Sequence, residues 1–171
     1  MNMSPNKTTP KNSRRKLGKR QTELLRSLCD ALSVSGDEQE VREIVLREVK
    51  PLCQQVEVDA MGNVLATRVG SAASKVQVMI AAHMDEVGFM LTQDDGDGIY
   101  GFSIVGGIDE RQLVGKPVIV GREHVPGVIG AKAIHLTTPE ERKTALKLEQ
   151  LRIDLGPDGS GLAKVGDRAG F

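Results

Sequence analysis

Three residues able to do chemistry follow directly on an apolar run near the middle of the chain. The run VQVMIAA, residues 76–82, is followed by His83, Asp85 and Glu86. In a β-strand alternate side chains point the same way, so His83 and Asp85 would be neighbours on one face. A carboxylate that hydrogen-bonds one nitrogen of an imidazole leaves the other nitrogen for a metal ion. The spacing therefore indicates His83 as a metal ligand and Asp85 as the residue that orients its ring.

The same spacing also fits an ordinary strand end, where a histidine bonds to an acidic residue in a turn. A metal site needs about four ligands, and His83 supplies only one. His124 follows Glu123 in a turn-like segment, so we expect it to be exposed. His135 ends an apolar strand and is expected to be a structural or interface histidine. The residues alone leave the metal site and the strand end both open.

Helical patterns precede the apolar run. Leucines recur at helical spacing over residues 21–32, which predicts a helix with one apolar face. Ser35 followed three residues later by Glu38 is the pattern of a capping box. It predicts the start of a second amphipathic helix, which ends at Pro51.

Strand patterns come next. Residues 54–70 alternate apolar and polar around MGN, which predicts a hairpin. Residues 75–85 are apolar on both alternating faces and predict a strand buried on both sides. Because ligand crevices in open α/β sheets lie at the carboxyl ends of strands, this strand would deliver His83 to such a crevice.

The pattern changes after Gly88. Short apolar strands alternate with glycine-rich turns up to residue 166, which predicts a compact antiparallel β unit, either a barrel or a small sandwich. DDGDG, residues 94–98, fits a hairpin turn better than a calcium-binding loop. Residues 139–151 predict a short helix or a charged loop at the edge of this unit. We place a boundary between the two textures near residue 89.

Composition narrows the possible functions. The 171-residue chain is 39% hydrophobic and 27% charged, as in ordinary soluble domains, but only 2% aromatic with no Trp. Binders of single-stranded nucleic acid and of sugars use aromatic stacking platforms, so both classes are disfavoured. A glycosidase would also need two carboxylates across a sugar cleft.

The first 20 residues hold seven basic side chains and no acidic one. Such a tail can contact nucleic acid or anionic lipid. Its composition favours a disordered leader. We expect no nucleic-acid partner, because the chain has few aromatic stacking platforms. We expect no membrane, because no segment could span a bilayer. Cys29 and Cys53 are far apart and indicate no disulfide framework, so a cytoplasmic location is the simplest expectation.

Several segments together resemble a known family. In chain order they are AAHMDEVGFM, IVGGID, GKPVIV, GVIGAKAIHL, LRIDLG and KVGD. The set resembles the tetrahedral, self-compartmentalising metalloaminopeptidases, known as glutamyl, lysyl or deblocking aminopeptidases and sometimes as cellulases. The resemblance extends over nearly all of residues 21–171.

This resemblance implies a fold and a domain order. The fold would be the N-terminal part of a zinc-peptidase-like α/β catalytic domain, followed by a small inserted antiparallel β-barrel domain. Residues 1–20 would be a disordered basic tail and 21–88 the first part of the catalytic domain. Residues 89–166 would be the barrel that serves subunit assembly, and 167–171 the return to the catalytic domain.

The resemblance also implies a chemistry. Such enzymes hold two divalent metal ions, zinc or cobalt, and remove N-terminal amino acids from peptide substrates. The matching motif makes His83 a metal ligand and Asp85 its supporting catalytic residue, and it assigns no role to Glu86. A homo-oligomer assembled through the β domain is expected.

The chain departs from the family beyond the barrel. The family's bridging aspartate, paired glutamates, further acidic ligand and final histidine all lie downstream of the inserted domain. Asp109 and Glu110 match a turn of the barrel and are not that pair. We therefore expect a truncated N-terminal portion, inactive alone and prone to associate. The alternative is a non-catalytic assembly or binding module that acts through its β unit.

Overall fold

The computed structural model describes residues 16–70, 77–140 and 143–171. Within these ranges the chain forms two α-helices and eight strands. It divides after Asp30 into two units. No helix of the described residues combines the length and the apolar character that crossing a bilayer requires.

The first unit contains helix α1, Lys19–Asp30. It confirms the helix predicted over residues 21–32, with a start two residues earlier. None of its residues is buried, and Leu25 and Leu28 on its apolar stripe are exposed. The helical spacing of the leucines therefore predicted the helix correctly, but the apolar face that it predicted is not buried.

The second unit begins with helix α2, Gln39–Val49, which continues as a 3₁₀ turn, Lys50–Leu52, around Pro51. Val41 and Ile44 on the predicted stripe are buried. The predicted capping box is wrong, because no side chain caps the start of α2. The Ser35 hydroxyl bonds elsewhere, to Asp85.

The hairpin predicted around MGN is confirmed. Strands β1, Gln55–Val58, and β2, Val64–Thr67, pair antiparallel. Asp59 stabilises the turn because its carboxylate accepts hydrogen bonds from the backbone N–H groups of Met61 and Asn63, each 2.9 Å long.

The strand predicted over residues 75–85 is not found where the structure describes this segment, residues 77–85. Val78, Met79 and Ile80 are 82%, 89% and 92% exposed, so the expectation of burial on both sides is wrong. A buried strand needs paired neighbours and covering layers, and no described strand pairs with this segment. The first β-bridge comes after it, where Glu86 pairs in parallel with Val34.

The β unit is a closed six-stranded barrel among the described residues, so the barrel alternative is confirmed over the sandwich. Its spatial order is β3-β4-β7-β6-β5-β8, and every pairing is antiparallel. The strands are β3 Gly88–Gly96, β4 Ile99–Val105, β5 Pro117–Val120, β6 Val125–Ala131, β7 Leu151–Asp154 and β8 Arg168–Gly170.

Strand β8 closes the barrel. Its Ala169 is opposite Phe89 of β3 and Val120 of β5. Strand pairing thus extends the barrel beyond residue 166, into residues 167–171, which the resemblance assigned to the catalytic domain. The barrel interior is a closed apolar core, and its largest fully buried members are Phe89, Leu91, Tyr100, Leu113, Ile129, Leu151 and Ile153.

The turns of the barrel agree with the sequence patterns. Asp97 and Gly98 have φ values of 53° and 80° and connect β3 to β4, so the hairpin predicted for residues 94–98 is confirmed. The described residues of 139–151 form no α-helix; they contain the 3₁₀ turn Leu148–Gln150, in agreement with the charged-loop alternative. Residues 141–142 lie outside the described ranges.

Candidate functional site

The structure brings His83 and Asp85 together within an irregular segment, residues 83–85. His83 Nδ1 lies 2.8 Å from the backbone oxygen of Asp85 and 3.3 Å from its carboxylate Oδ1. The His83 side chain is 86% exposed and that of Asp85 42%. With Nδ1 engaged by Asp85, Nε2 is the nitrogen left for a metal ion.

A short loop before α2 fixes the segment that carries this pair. The Ser33 hydroxyl donates to the backbone oxygen of Met84 (2.6 Å). The backbone N–H of Glu86 donates to the Ser33 oxygen (2.8 Å), while the Glu86 carboxylate accepts from the Ser33 N–H (3.2 Å). Ser33 is 2% exposed, so these bonds fasten residues 84–86 to a buried anchor.

Ser35 reaches the carboxylate itself. Its hydroxyl donates to Asp85 Oδ2 at 2.5 Å, on the side of the carboxylate away from the oxygen nearest His83. This hydrogen bond is the largest cause that lowers the pKa of Asp85 below its ordinary value, and the adjacent His83 adds a smaller contribution. Asp85 is thereby kept as an anion next to the imidazole.

Whether a metal ion could bind here depends on how many side chains that can act as ligands lie close together. Within the part of the chain that the structure describes, no three side chains of His, Cys, Asp or Glu come together as a group able to hold an ion. His83, braced by Asp85, has the chemistry of one ligand with its support. The pair therefore fits one corner of a metal site, and the described residues do not complete it.

The other two histidines lie elsewhere. His124 is half-buried rather than exposed as expected, because its Nε2 lies 2.7 Å from the Glu40 carboxylate. His135 is exposed in the 3₁₀ turn Ile134–Leu136, beyond the end of β6. Neither is near a cluster of donors among the described residues.

The acidic pair Asp109–Glu110 lies in a turn of the barrel, as the sequence pattern indicates. The Arg111 guanidinium donates to the Asp109 carboxylate, with its closest contact at 2.7 Å. This bond lowers the pKa of Asp109 to about 2 and raises that of Arg111. The Asp109 carboxylate is neutralised within its own turn.

Sequence reasoning missed Ser35 as a part of this site. Ser35 and Asp85 are 50 residues apart, and the pattern Ser35–Glu38 was interpreted as a helix cap. No local pattern in the sequence indicates a contact between segments this far apart.

Comparisons with known proteins agree on one family. Residues 62–167, more than half of the chain, match the M42 glutamyl aminopeptidase family. Over 138 residues the chain is 39% identical to FrvX of Escherichia coli (strain K12), with 78% of this chain and 38% of FrvX aligned. It is 33% identical to a lysyl aminopeptidase of Pyrococcus furiosus, with 78% of this chain and 39% of the relative covered.

A solved structure shows the same architecture. The TET1 peptidase of Pyrococcus horikoshii, which can assemble into a tetrahedron or a large octahedral shell, superposes with a TM-score of 0.71 at 34% identity. The superposition covers 88% of this chain and 46% of the peptidase. The predicted fold class, the N-terminal part of a zinc-peptidase-like α/β domain with a small antiparallel barrel, is confirmed.

The extent of the match is the same in each case: the chain spans less than half the length of these relatives. The match nevertheless includes the His83–Asp85 pair and most of the barrel. By sequence and by fold, the chain belongs to the M42 family of glutamyl aminopeptidases.

Proposed function

We propose that this chain supplies one part of a metal-dependent aminopeptidase site, in which His83 is a metal ligand and Asp85 orients it. The observation that carries the proposal is the His83–Asp85 contact, where Asp85 engages Nδ1 and leaves Nε2 on a largely exposed ring. A neutral imidazole with one nitrogen held by an acceptor is the form that binds metals.

The chemistry of such a site is peptide hydrolysis at the N-terminus of a substrate. When bound, the two divalent ions of such a site, zinc or cobalt, polarise the scissile carbonyl and activate a water molecule. In this chain Asp85 would keep the His83 ring oriented and raise its basicity, since an anionic carboxylate stabilises a proton on Nδ1. Proton transfer during hydrolysis also needs a general base.

The incomplete donor set leads to a second part of this proposal. The 171-residue chain by itself has no peptidase activity, because one imidazole and its supporting acid cannot hold two ions. Incubation with Zn²⁺ or Co²⁺ and amino-acid p-nitroanilides should give no turnover above a His83→Ala control. Turnover by the isolated chain that is lost in His83→Ala would show that a complete site forms without further donors.

The positive test is complementation. The chain is mixed with, or fused to, the portion of the Pyrococcus furiosus lysyl aminopeptidase that lies beyond its matched region. We expect metal-dependent release of N-terminal residues that His83→Ala abolishes. Asp85→Ala should lower activity or metal affinity by about 10- to 100-fold, the usual effect of removing a residue that supports a ligand.

His135→Ala is the matched control for that test, because His135 is an exposed histidine outside the segment that carries His83 and Asp85. It should leave the complemented activity unchanged. Activity that persists in His83→Ala, in an assembly that still binds metal, would overturn the assignment of His83.

A second proposed role is assembly through the barrel. The barrel has a closed sheet and an apolar core of its own, and the structurally similar TET1 peptidase forms closed shells. We expect light scattering on the variant Val78→Lys/Ile80→Lys, in which two exposed apolar side chains are replaced, to show a discrete multiple of the monomer mass. A monomer at every concentration would contradict this role.

A further inference from the structure

Ser35 lies where the candidate site meets the barrel. Its hydroxyl donates to Asp85 Oδ2 (2.5 Å), and its backbone oxygen accepts from Arg168 Nε (3.2 Å). Arg168 opens strand β8, which is paired on both sides within the barrel. Ser35 therefore connects a rigid strand to the carboxylate that braces His83.

The residue after Ser35 makes this arrangement possible. Gly36 has a φ of 89°, and a Cβ placed there would lie 3.0 Å from a terminal guanidinium nitrogen of Arg168. Glycine adopts this φ at no steric cost and leaves room for the guanidinium. The dipeptide Ser35–Gly36 thus combines a hydroxyl donor with a backbone that Arg168 can approach.

The Ser35 hydroxyl adds a fixed donor to a carboxylate whose other oxygen lies near His83. The Asp85 side chain is 42% exposed, so without a fixed donor water would compete for both of its oxygens. A serine hydroxyl has a single proton to donate, and here that proton is directed to Oδ2. With Oδ2 fixed, Oδ1 stays 3.3 Å from His83 Nδ1.

We propose that Ser35 is a positioning residue for the His83–Asp85 pair, and that the barrel holds Ser35 in place through Arg168. The inference rests on the function proposed above, since it assigns Ser35 to that same site. It goes further in giving the barrel a second task, the alignment of the site.

Ser33 provides the comparison that separates positioning from general anchoring. Both serines bond to residues 84–86, but the Ser33 hydroxyl bonds to the backbone oxygen of Met84 and not to Asp85. A loss of general anchoring should therefore follow from Ser33→Ala, whereas loss of carboxylate alignment should be specific to Ser35→Ala.

The test uses nuclear magnetic resonance on the 171-residue chain without metal. Three-bond Hα–Hβ couplings report the Asp85 rotamer, and long-range ¹H–¹⁵N correlations report the tautomer of His83 at a pH where its ring is neutral. The wild type should show one Asp85 rotamer and a proton on Nδ1. Averaged Asp85 couplings in the wild type would overturn the proposal before any variant is made.

Ser35→Ala should average the Asp85 couplings, whereas the proton on His83 Nδ1 should be retained because its partner, the backbone oxygen of Asp85 at 2.8 Å, remains. Ser35→Thr, which keeps the hydroxyl, should restore the wild-type pattern, and Ser33→Ala should retain a single Asp85 rotamer. A Ser35→Ala chain with an intact barrel spectrum and unchanged couplings would overturn the proposal, as would equal averaging in Ser33→Ala.

The contribution of the barrel is tested with Arg168→Met, which keeps the apolar stem and removes the donors. Partial averaging of the Asp85 couplings is expected, because Ser35 loses its backbone partner while keeping its hydroxyl. Couplings identical to those of the wild type would refute the connection through Arg168.

These outcomes are distinguishable from failure of the proposed function. In the complemented enzyme Ser35→Ala should lower metal affinity or activity by about 10- to 100-fold, with rescue by Ser35→Thr. If the complemented enzyme has no peptidase activity at all, the proposed function fails. The Asp85 couplings of the isolated chain still decide the role of Ser35.

Discussion

Asp85 and Asp109 both have a lowered pKa, but for different physical reasons. Asp85 is held chiefly by the neutral hydroxyl of Ser35, so its negative charge is not cancelled. Asp109 is held by the Arg111 guanidinium, so its charge is largely neutralised. A carboxylate that supports a metal-binding histidine has to keep its charge, which favours Asp85 for that role and argues against Asp109.

The Asp109–Arg111 pair gives a prediction about pH. Removing the guanidinium in Arg111→Ala should raise the Asp109 pKa from about 2 towards the ordinary value of 3.8. A backbone hydrogen bond from residue 111 remains, so the return should be incomplete. Because the folded pKa is depressed, the pair's contribution to folding is complete above pH 3.8 and lost as the pH falls through about 2.

The measurement is a ¹³C carboxyl titration of the wild type and the variant. Asp95 is the internal control, since its pKa is lowered mainly by a different arginine, Arg152, and should not move. An Asp109 pKa that stays near 2 in Arg111→Ala would show that the backbone alone holds it.

At the scale of residues, the sequence predicted the His83–Asp85 pair through an argument that applies only in part. Strand alternation placed the two side chains together, yet residues 77–85 form no strand. The two residues are instead joined by a direct contact, in which His83 Nδ1 lies 2.8 Å from the backbone oxygen of Asp85. Ser35 was missed because the bond to Asp85 joins distant segments, and one sequence carries no sign of such a contact.

At the scale of elements, the β3–β4 hairpin depends on a close contact made by one glycine, Gly98. Gly98 has a φ of 80°, its carbonyl accepts from the Leu155 N–H (2.9 Å), and an added Cβ would collide with the Gly156 backbone oxygen. The hairpin therefore packs directly on the chain leaving β7, at a position where only a hydrogen fits.

We expect Gly98→Ala to destabilise the barrel much more than Gly115→Ala. Both glycines have a φ of 80°, but a Cβ at Gly115 would meet no atom within 4 Å. Gly115→Ala should lower the free energy of unfolding only by the cost of placing Ala at a positive φ, about 1–2 kcal/mol. Gly98→Ala should lower it by roughly 1–3 kcal/mol more, because of overpacking. Urea unfolding followed by the fluorescence of Tyr100, the chain's one tyrosine, measures both. Equal losses would contradict the close approach to Gly156.

The elements predicted well are those whose signals are local. The β1–β2 hairpin and the barrel strands are marked by turn residues and short alternating runs, and they formed as expected. The strand over 75–85 depended on neighbours that a pattern cannot supply. Its apolar residues marked it as a buried strand, but burial requires other strands and layers to be present.

At the scale of the whole molecule, the second unit contains both a closed barrel and an exposed apolar segment. The barrel has no open edge, because its six described strands pair in a closed ring. Residues 77–82 are exposed, and five of the six, residues 78–82, are apolar. An exposed apolar segment of this kind marks an interaction surface or an aggregation liability.

We therefore expect the chain to associate through residues 77–82 in an open-ended way, with a mass that rises with concentration. The double variant Val78→Lys/Ile80→Lys should remove this behaviour, since it places two charges on side chains that are 82% and 92% exposed. Ile134→Lys/Leu136→Lys is the matched control, with the same spacing and charge change on residues that are 71% and 61% exposed. Sedimentation velocity compares the three proteins, and equal behaviour of both variants would refute a special role for 77–82. A discrete oligomer that persists in the first variant would instead be the assembly proposed for the barrel.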